Sequence, residues 1–178
     1  MLGRYVARRI TAISLFILLL SNAAFAQNIE TVAEDGSFSI VFPSAPEHSK
    51  VAPKAGDDNP SRADIYLAKS NTQIFLASNL THEKPITNHN GELEANVRNF
   101  LKAAGATLIS SKIIPVQLAS GANALAIEFS SENAGWTQQG IFVMADDQRL
   151  YGAAAGWTKG SNGAPAAQNF LRSLKVNK

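Results

Sequence analysis

The chain contains no cysteine. That excludes disulfides, thiolate nucleophiles, Cys-ligated metals and lipid attachment at a processed N-terminal cysteine. Whatever stability the protein has comes from its core. Long hydrophobic runs are lacking too. The most apolar stretch, Ile10 to Leu20, falls short of the about 20 residues a membrane-spanning helix needs. An excess of charge of one sign is also missing, with 16 Lys and Arg against 14 Asp and Glu. Arg4, Arg8 and Arg9 sit at the extreme start, and without them the balance turns slightly negative. No cationic field remains to gather nucleic acid or anionic lipid. Three catalytic signatures are absent as well: the Gly-x-Ser-x-Gly turn, a helical His-x-x-x-His pair and the phosphate-loop lysine.

The first residues read as an export signal. A positive start is followed by the apolar run Ile10 to Leu20. Ser21-Asn22-Ala23-Ala24-Phe25-Ala26 then places small residues at the two positions a signal peptidase reads, Ala24 and Ala26. The sequence predicts cleavage before Gln27, with residues 1–26 as leader and 27–178 as one domain. Arg8-Arg9 hints at twin-arginine export, but the apolar stretch favours the general route. The expected location is the periplasm or the medium.

Beyond the leader, hydrophobic period assigns the elements. Gln27 to Glu34 leads in, with room for a short strand. After the turn signal Asp35-Gly36, Ser37 to Phe42 alternates, with Phe38, Ile40 and Phe42 on one face. His48 to Pro60, polar and broken by Pro53, Gly56 and Pro60, reads as a mobile loop. Arg62 to Lys69 and Thr72 to Leu80 read as a hairpin around Ser70-Asn71, and Thr81 to Asn88 as a polar loop. Gly91 to Ala104 is the clearest helix: Leu93, Val97, Phe100, Leu101 and Ala104 form one stripe, Asn90 is placed to cap it, Glu94 and Arg98 are an i,i+4 pair, and Gly105 is placed to end it. Thr107 to Val116, Ala124 to Ser130, Trp136 to Ala145 and Arg149 to Trp157 follow as strands joined by short turns. Pro165 to Lys175 is a final helix, with Pro165 suited to its first turn. Short turns favour antiparallel pairing. The expectation is α+β: one largely antiparallel sheet of about six to seven strands packed with two helices.

Asp35-Gly36-Ser37-Phe38-Ser39-Ile40-Val41-Phe42-Pro43-Ser44-Ala45-Pro46 resembles the opening of small exported domains of the PsbP/DcrB-like superfamily. In that superfamily a G-x-F-x-I-x-F-P-x-x-P strand precedes a hairpin, a helix and a four-strand meander. Arg149-Leu150-Tyr151, Phe170 and Ser173-Leu174 extend the similarity, which covers most of Ser37 to Val176. The resemblance implies an antiparallel sheet between helices, an α/β/α sandwich. It implies no single activity: members include photosystem accessory subunits, a nuclear-transport cofactor, envelope proteins and chaperones for apolar segments, most of them non-catalytic binders. It supplies no catalytic residue.

Several features could carry chemistry. His82, Glu83 and His89 share one expected loop, with His48 in another; their spacing is too loose to preset a metal site, and solvated loop histidines are expected. Asp57-Asp58 and Asp146-Asp147 are adjacent pairs whose side chains point apart, as solvated turn charges do. Gly160-Ser161-Asn162-Gly163 before the last helix reads as a loop and cap, and Asn79-Leu80-Thr81 fits a glycosylation pattern that matters only in a host with the machinery. The most distinctive feature is Gly152-Ala153-Ala154-Ala155-Gly156-Trp157, a strand nearly without side-chain volume, near Ala122, Ala124 and Ala126. Bare sheet either admits a helix closely or leaves a groove. In the second case Trp136, Tyr151 and Trp157 would rim the groove and Ala153 and Ala155 would floor it.

These observations point to a non-enzymatic periplasmic or secreted accessory protein that binds an envelope protein or a small apolar ligand. No cofactor, metal or nucleic acid is expected, and no membrane span after processing. Two other readings stay open: a chaperone-like carrier of an apolar peptide or lipid chain in the small-residue groove, and a small hydrolase or metal-dependent enzyme using the loop histidines.

Overall fold

The structure, a computed structural model, describes residues 28–53, 56 and 58–177. The expected leader, with Ala24, Ala26 and Gln27, lies outside the described residues. In chain order the elements are β1 (Ile29–Val32), β2 (Phe38–Phe42), β3 (Glu47–Val51), β4 (Ser61–Lys69), β5 (Gln73–His82), α1 (His89–Ala104), β6 (Thr107–Gln117), β7 (Asn123–Glu132), β8 (Trp136–Met144), β9 (Arg149–Thr158), α2 (Ala164–Arg172) and β10 (Lys175–Val176). The fold is α+β. A seven-stranded sheet runs β3-β4-β5-β9-β8-β7-β6, and a three-stranded sheet runs β1-β2-β10. All described pairings are antiparallel. The β4–β5 hairpin and the β6–β9 meander meet where β9 pairs with β5, and α1 is the connection between them.

Each face of the large sheet takes a different cover because side chains alternate along every strand. On one face the α1 stripe Leu93, Val97 and Leu101 packs on Ile127, Phe129, Phe142, Met144 and Leu150. On the other, Phe38, Ile40 and Phe42 of β2 and Ala167 and Phe170 of α2 pack on Tyr66, Phe75, Val143, Tyr151, Ala153 and Ala155. Phe170 fixes α2 by tilted contacts with Phe42 at 4.9 Å and Phe75 at 5.2 Å. The helix ends behave as their residues dictate. Gly105 takes φ 57° and ψ 38° after α1, a left-handed conformation open to glycine without Cβ strain, and Pro165 stands in the first turn of α2. The Glu94–Arg98 pair forms at 3.7 Å.

Four expectations need correction. The stretch 48–60 is not all loop: Glu47–Val51 is edge strand β3, paired along β4. All five of its residues are exposed, so no apolar period marks it. A second, small sheet exists where one was expected, because β1 and β10 flank β2 instead of joining the large sheet. The last helix stops at Arg172, three residues before Lys175, and the chain then adds β10. Ser173 Oγ accepts from Val41 N–H at 2.9 Å, and Asn177 N–H donates to Ser37 carbonyl at 2.8 Å, which ties the C-terminal end to β2. Finally, Asn88 rather than Asn90 caps α1, accepting from Gly91 N–H at 3.0 Å.

Candidate functional site

The small-residue strand forms no open groove. Tyr151, Ala153, Ala155 and Trp157 point to the face covered by β2 and α2, and are 1%, 0%, 3% and 8% exposed. Tyr151 is core rather than rim; its ring meets Phe38 edge-on at 6.0 Å, and burial pushes its phenol above the ordinary value. A Cβ on Gly163, just before α2, would collide with the Trp157 side chain, so the helix enters hard against that ring. Trp136 lies on the opposite face, near Gly156. The five residues expected to share a site are therefore split between two faces. On the α1 face the bare strand is filled by a neighbour: a Cβ on Gly152 would stand 2.7 Å from Phe142. Beyond the reach of α1, Ile65, Leu67, Ile74 and Leu76 lie half-buried on that same face.

The histidines are not solvated loop residues, and each faces carboxylates of its own. His82 ends β5 and is 7% exposed; its Nε2 lies 3.3 Å from Glu92 Oε1 of α1, a contact too poorly aligned for a hydrogen bond. Asn96 donates to the same carboxylate oxygen at 2.7 Å. His89 opens α1, with Nε2 3.0 Å from Asp147. His48, on β3, lies between Glu34 at 3.3 Å and Asp64 at 3.0 Å and stacks on Tyr66 at 4.4 Å. Lys50 donates to Glu34, and this hydrogen bond holds the Glu34 carboxyl below its ordinary value. That cluster fastens the edge strand β3 to the β1–β2 turn. Among the described residues no group of three or more His, Asp or Glu is placed to hold a metal ion.

The adjacent acids in the β8–β9 turn point to different partners, as expected. Asp147 faces His89, while Asp146 accepts from the main-chain N–H groups of Gln148 and Arg149 at 2.9 and 2.8 Å and pairs with the Arg149 guanidinium. Burial pushes the Asp146 carboxyl up, but the Arg149 and main-chain hydrogen bonds outweigh it and hold the group below its ordinary value.

The described residues form a cleft of about 510 Å³ between α2 and strands β6, β7 and β8. Two rows of cross-strand neighbours make its floor. Lys112, Glu128 and Ile141 stand side by side in one row, and Ser110, Ser130 and Gln139 in the next. The two serine hydroxyls bond at 2.8 Å. Gln168, Leu171 and Arg172, on one side of α2 by helical spacing, form the wall. Lys112, Glu128 and Arg172 make no ion pair within 4.0 Å to any described residue. Sequence reasoning missed this site because its residues are spread from Ser110 to Arg172 and come together only by strand register. The one local signal is Ser110-Ser111-Lys112, a polar break in an otherwise aliphatic strand.

No family model matches the chain, and no curated protein matches it. Among solved structures, a protein of Bacteroides thetaiotaomicron is similar at a TM-score of 0.38 and 11% identity, covering 85% of this chain. The chain spans 49% of that protein's length. Among the described residues no helix is long and apolar enough to cross a membrane.

Proposed function

We propose that the chain is a non-enzymatic accessory protein of the cell envelope, exported by its leader to the periplasm or the medium, that binds another envelope component in the cleft beside α2. The cleft carries this reading. Its volume lies within the about 300–1,000 Å³ range of ligand sites, and its lining converges polar and charged side chains of the floor and of α2 around the apolar Ile141 and Leu171. Its three charges have no ion-pair partner among the described residues. The reading extends to the sandwich of the PsbP/DcrB-like proteins that the sequence resembles, with α1 on one face of the sheet and α2 on the other. Immobilised protein incubated with envelope extract tests it. A component retained by the parent and lost when Lys112 and Arg172 are both replaced by glutamate supports the cleft. Equal retention by the two proteins contradicts it.

One observation favours a second reading, a carrier of an apolar peptide or lipid chain. Ile65, Leu67, Ile74 and Leu76 form a half-buried aliphatic surface on the α1 face, where no described helix covers β4 and β5. On that reading the apolar chain lies on the opposite face from Ala153 and Ala155.

A further inference from the structure

Among the described residues, strand β6 is one of the two edges of the seven-stranded sheet, opposite β3, and it forms one side of the cleft. All residues from Thr107 to Lys112 are exposed, with Leu108 at 42% and Ile109 at 58% among the most exposed large apolar side chains of the protein. An edge strand presents alternate N–H and C=O groups outward, a template on which another extended segment can pair. Two features limit where pairing can occur. The register with β7 shifts between Leu108 and Ser110, a bulge that bends the edge, and Pro115 lacks a donor. The run that remains, 110–114, is centred on Lys112.

We infer that β6 accepts an extended acidic polypeptide segment as an eighth strand, with a carboxylate of that segment held by Lys112 and Arg172 at the cleft. The inference rests on the reading of the cleft as a binding site and names its partner class. Charge selects the occupant: among the described residues lining the cleft, Lys112 and Arg172 are positive and Glu128 is negative, which leaves an excess of one cation. Antiparallel pairing of two copies through 110–114 sets Lys112 directly against its own counterpart, and like charges in that position destabilise a sheet. A segment with a carboxylate there meets Lys112 instead. Side chains of an added strand alternate, so every second one points to the cleft face, beside Ser110, Lys112 and Ile114. Arg172, in the last turn of α2, lines that cleft from the other side, also without an ion-pair partner among the described residues.

The test uses the purified protein and three fluorescein-labelled peptides. One is the acidic heptapeptide Thr-Glu-Val-Glu-Thr-Glu-Val. The second has lysine for each glutamate. The third is the acidic peptide with alternate main-chain nitrogens methylated, which blocks strand pairing and keeps the charge. Anisotropy should show the acidic peptide binding about tenfold or more tighter than the other two, with about tenfold loss in Lys112→Gln and in Arg172→Glu. Both substitutions are at exposed positions, and unchanged melting temperatures verify that the variants fold. Amide hydrogen exchange across 110–114 should slow when the acidic peptide binds. Equal binding of the lysine peptide overturns the charge selection, and equal binding of the methylated peptide overturns strand addition. Retention of an envelope component that depends on the cleft charges yet leaves exchange across 110–114 unchanged also overturns strand addition, while the cleft reading survives.

Discussion

His82 Nε2 and Glu92 Oε1 stand 3.3 Å apart where β5 meets α1, and among the described residues neither nitrogen of the buried ring has a hydrogen-bond partner. The ring therefore serves the core mainly by its volume. Replacing a buried polar group that lacks partners by an apolar one of similar shape is close to neutral, whereas truncating it leaves a cavity. His82→Leu should keep the melting temperature or raise it. His82→Ala should cost about 2 kcal/mol, and His89→Ala, at an exposed ion pair, less than about 1 kcal/mol. Urea unfolding of the three variants checks this. A large loss in His82→Leu would mean that the ring's charge, paired with Glu92, holds α1 in place.

Ala153 and Ala155 lie under β2 and α2 with no room for larger side chains. Ala153→Leu and Ala155→Leu should each cost about 1–3 kcal/mol by overpacking. Binding of a fluorescent apolar probe should survive both changes and fall in Leu67→Asp if the carrier reading holds, because Leu67 belongs to the half-buried surface on the other face. Loss of probe binding in the alanine variants, with stability intact, would restore the small-residue groove.

The Asp146 carboxyl is held below its ordinary value of 3.8. A depressed carboxyl contributes stability that is fully present above the unfolded-state value and is lost as pH falls through the folded-state value. The gap between parent and Asp146→Asn should therefore be full at neutral pH, persist down to about pH 4 and close below it. Melting temperatures of both proteins across that range measure it. A gap independent of pH would mean that the carboxylate's charge does not stabilise the turn.

Export predicts a mature protein that begins at Gln27, after the small residues Ala24 and Ala26. Mass spectrometry of the protein recovered from the exporting cell should find that terminus. An intact precursor held in the membrane would contradict both the leader and the proposed location.

Most of the fold was legible because most of its elements carry a period. Phe38, Ile40 and Phe42 announced β2, the stripe Leu93, Val97 and Leu101 announced α1, and turns such as Asp146-Asp147-Gln148 announced the meander. What escaped was held by long-range pairing rather than pattern. Glu47–Val51 is exposed at every residue and forms because β4 offers it an edge and Glu34 and Asp64 grip His48. Lys175–Val176 is too short to show alternation. The small-residue strand was legible as a surface that something must approach closely; that α2 is the element above it depends on Phe170 finding Phe42 and Phe75, far away in sequence. The cleft was illegible for the same reason: Lys112, Glu128 and Arg172 are ordinary surface charges until register gathers them.

An envelope partner seated in the cleft beside α2 would touch Gln168. A photo-crosslinking amino acid placed at Gln168, exposed on the cleft wall, tests it against the same residue at Asn99, exposed on α1 at the opposite face. Irradiation of cells exporting each variant should give an adduct of discrete mass from position 168, none from position 99, and none from position 168 once Arg172 is replaced by glutamate. Adducts of equal yield from both positions, or one from position 99 alone, would rule out the cleft as the place where the partner binds.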